Sequence, residues 1–197
     1  TEETLQVGDV MEIVADFESD EKVKSGTVFE VLCSLTAGNY EFKYNYYITI
    51  GQSMEDFETG DLSKFNWDNT SDIPWTLTNS DTYEGNYCIK SGQIPDYGTT
   101  DLILEYESIH NDTISFYVKA SSEHSYDELT FYIDNQEKGS WSGEVNWTQQ
   151  KFAVNEGVHT FKWAYKKDYS ASNGSDCAWI DYITLPADKR MAISAGL

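Results

Sequence analysis

The chain has 197 residues, 34 of them acidic against 13 basic, for a formal net charge of −21, and aromatics make up 15 % of it. Nucleic acids and anionic membranes are recognised through Lys and Arg, so this charge balance excludes them as partners. No stretch of ~18 apolar residues is present to insert into a bilayer. With only 3 Pro, 14 Tyr and 6 Trp, the composition favours strands with aromatic faces, at a length that holds one large β-sandwich or two small domains. The first residue is Thr1 rather than Met, so the chain is expected to be a piece of a longer protein or a processed one.

In chain order, Met11 to Phe17, Val28 to Leu35 and Tyr40 to Ile50 read as strands. Lys24-Ser25-Gly26 and Ala37-Gly38-Asn39 separate them as turns. An immunoglobulin-like sandwich needs ~100 residues, so residues 1–50 are expected to be a partial immunoglobulin-like β segment. Residues 51–186 have the length of a jelly-roll β-sandwich, and 187–197 read as a linker to a following module. Within the larger unit, Glu55 to Asp61 reads as the first strand and Asp176 to Tyr182 as the last. Ile114, Phe116, Val118 and Ala120 alternate onto one face; so do Leu129, Phe131 and Ile133, and then Phe161, Trp163 and Tyr165. Period-two alternation of this kind marks half-buried strands. Gly139, Trp141 and Gly143 read as a turn region. No window carries a helical stripe, so the fold class is all-β.

The residues that carry chemistry are sparse. His110, His124 and His159 lie in separate segments, and the chain has no GxSxG, HExxH, P-loop or GxGxxG pattern. Cys33, Cys88 and Cys177 lack metal-ligand spacing and read as buried thiols. A Cys177–His159 dyad is unconvincing, because Ala178-Trp179-Ile180 follows the cysteine as a core strand. Glycosidases need two carboxylates ~5 to 10 Å apart, and no acidic pair here stands out. The acidic surface accounts for the same residues as a solvated, self-repelling face.

Two constellations are sharper. First and last strands are neighbours in a jelly roll, which brings Asp56, Glu58 and Asp181 towards one point. Hard oxygen ligands in a turn rich in Asp, Glu, Gly and Asn suit calcium, and carbonyls of Glu84-Gly85-Asn86 extend the set. A second group joins Ser121-Ser122-Glu123, Tyr126-Asp127 and Lys166-Lys167-Asp168 as a Lys–carboxylate network that pins two loops at one rim. Among the tryptophans, Trp75, Trp163 and Trp179 sit in alternating strands and read as core. Trp67, Trp141 and Trp147 lie near turns and are the candidate ligand-binding rings, since sugar C–H faces stack on exposed aromatics.

Several runs together carry a family resemblance: Phe116-Tyr117-Val118-Lys119-Ala120-Ser121-Ser122-Glu123, Leu129-x-Phe131-Tyr132-Ile133-Asp134, Gly157-x-His159-Thr160-Phe161-x-Trp163-x-Tyr165-x-Lys167-Asp168 and Asp176-x-Ala178-Trp179-Ile180-Asp181. Over about residues 54–186 the chain resembles the cleaved-adhesin and MAM-like jelly rolls, which recur as appendages of secreted bacterial proteins such as gingipain-like peptidases. The resemblance implies a concanavalin-like sandwich with calcium near the first and last strands, carried by Glu58 and Asp181 and less directly by Asp56. It also implies a non-catalytic accessory or adhesion module, secreted or at the cell surface and peptidase-associated. Its partners are then a host or matrix protein, a glycan, or neighbouring domains of the parent chain. A carbohydrate-binding module is the alternative. No peptidase dyad of the parent type lies in these residues.

Overall fold

The computed structural model describes residues 27–37, 40–50, 53–108, 111–186 and 194–195. The expected strand at Met11 to Phe17 and the turn at residues 24–26 lie outside them. Every strand pairing among the described residues is antiparallel. Strands β1 (Thr27–Ala37) and β2 (Tyr40–Ile50) form a hairpin with Ala37 opposite Tyr40. A short strand from the segment expected to be a linker, Ser194–Ala195, adds to the free edge of β2 through Tyr46 and Tyr47.

The sandwich has two sheets. Strands β3 (Met54–Glu55), β4 (Trp67–Asp68), β5 (Thr76–Thr78), β6 (Cys88–Lys90), β7 (Thr99–Ser108) and β8 (Asp112–Ser121) come first. They are followed by β9 (Glu128–Ile133), β10 (Gln136–Ser142), β11 (Glu144–Val154), β12 (Gly157–Lys166) and β13 (Cys177–Thr184). One sheet runs β10-β9-β12-β7-β4, and the other β11-β8-β13-β6-β5 with β3 also paired to β13. The chain crosses between sheets repeatedly, as from β7 to β8, β8 to β9, β10 to β11, β11 to β12 and β12 to β13. This is a jelly-roll β-sandwich, and its first and last strands are neighbours as expected: Glu55 lies opposite Ile183.

Period two explains the core. Ile114, Phe116, Val118 and Ala120 of β8 are fully buried, as are Leu129 and Phe131 of β9 and Phe161, Trp163 and Tyr165 of β12. Phe116, Phe131 and Trp163 meet between the sheets with ring centroids 4.8 to 5.3 Å apart, the spacing at which aromatic pairs gain beyond their area burial. Two expectations are corrected. Gly139 and Trp141 belong to strand β10, and only Gly143, with φ +76°, makes the turn. The first strand ends at Glu55, because Phe57 adopts φ +58° and its carbonyl accepts the Gly60 N–H in a turn.

Candidate functional site: an aromatic platform on the outer sheet face

On β8, alternation that buries Phe116 and Val118 turns Tyr117 and Lys119 outward. Tyr117 lies directly opposite Asp181 of β13. Two bulges then add rings to this outer face. Between Val145 and Thr148, β11 spends one more residue than β8, whose partners are Ala120 and Val118. Without that residue Trp147 would share the inward parity of Val145; with it, the indole swings outward. There it packs on a separate small cluster of Cys88, Cys177 and Trp179. On β13 the same step falls between Asp181 and Thr184, where Tyr182 has φ +49°. Its ring joins the outer face too.

The segment from Asp81 to Tyr87 arches over this face. Asp181 is fully buried and accepts the N–H groups of Tyr83 (2.9 Å) and Glu84 (3.2 Å) on one oxygen and that of Tyr182 (2.7 Å) on the other. Glu58 accepts the backbone N–H groups of Asn86 (2.7 Å) and Tyr87 (2.8 Å) and the Asn86 side-chain amide (2.9 Å). Gly85 is required between them: it has φ +61°, and a Cβ there would lie 2.4 Å from Glu58 Oε1. The arch lays Tyr83, 41 % exposed, flat on Tyr117 with centroids 3.4 Å apart. Trp147 and Tyr182 meet Tyr83 edge-on at 6.2 and 6.4 Å. Beside them Lys90 and Lys119 sit over Trp179 at 5.5 and 5.4 Å, and Lys119 pairs with Asp81. The Trp147 indole N–H is buried with no hydrogen-bond acceptor among the described residues.

The sequence-derived ligand-binding rings divide accordingly. Trp67 lies opposite Leu104 and Trp141 opposite Leu129, both inward positions, so both rings pack against the core. Trp67 also donates its indole N–H to the buried Glu55. Only Trp147 reaches the outer face. The sequence reading missed Tyr83, Tyr117 and Tyr182; alternation alone would have pointed to Tyr117, whereas a bulge and a long loop hide the other two.

Among the described residues, the oxygens of Asp56, Glu58 and Asp181, the carboxylates expected to hold calcium, do not form a group within 4.8 Å of one another. Asp56 pairs with Lys64 at 3.0 Å, while Glu58 and Asp181 hold separate halves of the arch. The arch also presents N–H groups to them at Glu84 and Asn86, where carbonyl oxygens were expected. These N–H donors hold the Glu58 carboxyl below the usual range. For Asp181 burial outweighs its three donors and pushes the carboxyl up to about 6.

The Cys177–His159 pair does not form, because the two residues stand in different sheets. Cys177 is buried in the outer cluster with its thiol pushed up to about 11 by burial, the reverse of an activated cysteine. His159 stands in the other sheet, bridging Asp134 (2.7 Å) and the carbonyl of Asn155 (2.9 Å).

No protein-family model matches the chain, and no curated protein does. Among solved structures, a cleaved adhesin domain of Lys-gingipain from Porphyromonas gingivalis aligns at TM-score 0.50 and 14 % identity, over 70 % of this chain and 98 % of that domain. A CBM22 xylan-binding domain from Paenibacillus barcinonensis gives 0.48 and 13 %, over 69 % and 95 %. The secreted serine protease VesC from Vibrio cholerae gives 0.47 and 14 %, over 84 % of this chain but 36 % of its own length. The fold is thus that of a cleaved-adhesin-like jelly roll, as the sequence motifs implied.

Proposed function

We propose that this chain is a non-catalytic accessory module of a larger secreted or cell-surface protein, peptidase-associated, and that it binds a glycan on the platform of Tyr83, Tyr117, Trp147 and Tyr182. The observation that carries the reading is the Trp147 indole. It stands edge-on to a stacked, partly exposed tyrosine pair, so that four rings share one outer face. A sugar offers the complement, C–H faces for the rings and hydroxyls for the polar groups beside them. The exposed side chains of Glu84 and Asn86 at the arch supply further polar contacts.

The test is binding of the purified chain to arrays of glycans and matrix proteins. Wild type is expected to retain one class of polysaccharide. Trp147→Ala and Tyr83→Ala should each weaken it at least tenfold with the fold intact by circular dichroism. Undiminished binding in both variants removes the platform from the reading, and selective binding to a matrix protein replaces the glycan with a protein partner.

A further inference from the structure

At one rim of the sandwich the turn between β8 and β9 (residues 122–127) meets the loop between β12 and β13 (residues 167–176). Ser122 Oγ donates to the Asp127 carbonyl at 2.6 Å and accepts the Gly143 N–H at 3.2 Å. Ser121 Oγ accepts the Ser175 N–H at 2.8 Å. Asp127 is fully buried. Its Oδ1 accepts the Asp168 N–H at 2.9 Å, which ties turn to loop.

The other oxygen, Asp127 Oδ2, is buried and accepts no hydrogen bond; the Lys167 ammonium stands 3.9 Å away, too far for one. Glu123 Oε2 is likewise buried and unpaired among the described residues. Oxygens of Glu123, Asp127 and Asp168 all lie within 4.8 Å of one another. Lys167 offsets this charge only from a distance and makes no hydrogen bond to it. It bonds to Asp176 and to Ser172 Oγ (2.7 Å), with Asp96 at 3.7 Å. One ammonium therefore stands among five carboxylates: Asp96, Glu123, Asp127, Asp168 and Asp176.

We infer that Glu123, Asp127 and Asp168 hold a calcium ion that locks the β8–β9 turn to the β12–β13 loop. Buried, unpaired carboxylate oxygens are costly, and a cation is the partner that satisfies several at once. The donors are all hard oxygens, which rules for calcium or magnesium over softer-ligand metals. Oxygens within 4.8 Å of one another can gather on one ion, and calcium, with six to eight oxygens in flexible geometry, suits donors drawn from two loops better than octahedral magnesium. Waters and nearby carbonyls complete its shell. Burial holds the Glu123 and Asp127 carboxyls above the usual range, with the Asp168 charge adding to it and Lys167 opposing it. The ion also fixes an exposed pair of rings: Tyr97 donates its N–H to the Asp168 carbonyl at 2.7 Å, and Tyr169 follows Asp168 in the chain, the two rings 6.3 Å apart.

Calorimetric titration of the full chain with calcium chloride, paired with terbium luminescence sensitised by the flanking tyrosines, tests this. Glu123→Gln and Asp127→Asn should each weaken calcium binding and the terbium signal at least tenfold. Asp181→Asn should leave both unchanged. Because Asp127→Asn also disturbs the bond to Asp168, Glu123→Gln, whose unpaired oxygen makes no hydrogen bond to lose, is the decisive variant. Wild type that binds no calcium overturns the inference. So does a folded Glu123→Gln chain that binds as wild type does. Loss of binding in Asp181→Asn alone would place the ion at the junction of the first and last strands instead.

Discussion

The platform arch and the rim loop are both hung from carboxylates, yet the two are finished differently. At the arch, Asp181 and Glu58 each accept three N–H donors, so the anions are satisfied by the chain itself. At the rim, Asp127 and Glu123 each keep one buried oxygen unanswered. An acid saturated by amides positions a loop whatever ions are present. Acids gathered without donors make the loop depend on what the solvent brings. The difference lies in the backbone: left-handed Gly85 curls the arch so that successive N–H groups converge, whereas the rim supplies the Asp168 N–H alone to Asp127.

The largest effect belongs to Asp181. Its folded carboxyl, pushed up to about 6 by burial, lies above the unfolded value of 3.8. The fold therefore favours the protonated form. The stability this group contributes is complete below pH 3.8 and is lost as pH rises through 6, by up to about 3 kcal/mol. Asp181→Asn is expected to abolish that decline. Urea unfolding at stepped pH should show the stability difference between variant and wild type moving between pH 4 and 6.5 and flat above it. A difference constant with pH would mean that the arch donors, not burial, set this acid.

Gly85→Ala comes next. A left-handed backbone costs a residue with a Cβ about 1 to 2 kcal/mol, and the methyl would drive Glu58 from the Asn86 and Tyr87 amides. We expect a destabilisation of that size in urea, together with loss of the near-ultraviolet signal of the Tyr83–Tyr117 stack and weaker glycan retention. Rim calcium binding should not change. If it did, the two loops would be one unit rather than two.

How much of this was legible follows from the same contrast. The inward faces of β8, β9 and β12 were readable because strict alternation survives in them, and the neighbouring of first and last strands followed from the jelly-roll order. The turn at Gly143 was visible, but β10 was not, since Gly139 and its polar neighbours carry little strand character; Trp141 was accordingly assigned to a turn and to ligand. Trp67 was misplaced for a similar reason, because β4 is two residues long. The bulges at Trp147 and Tyr182 reverse parity, and period-two reading has no signal for an inserted residue. The rim grouping of Glu123, Asp127, Lys167 and Asp168 was legible as a cluster. Its orphaned oxygens were not, because Lys167 turns to Asp176 and Ser172, a choice of partner made only by the folded loop.

The smallest expected effect is also the one that separates the loops most cleanly. Without an ion, Glu123 stands near Asp127 and Asp168 as a third like charge, so removing its charge relieves repulsion. With an ion, the same carboxylate is a ligand, and removing it weakens a state that only the folded chain forms. Glu123→Gln should therefore melt slightly above wild type in excess chelator and below it in millimolar calcium. Glu58→Gln should melt below wild type in both, because its amide presents an N–H where the arch needs an acceptor, whatever the ion content. The sign for Glu123, not its size, is the readout: an order of melting points that calcium leaves unaltered would make the rim a second arch, held by hydrogen bonds alone.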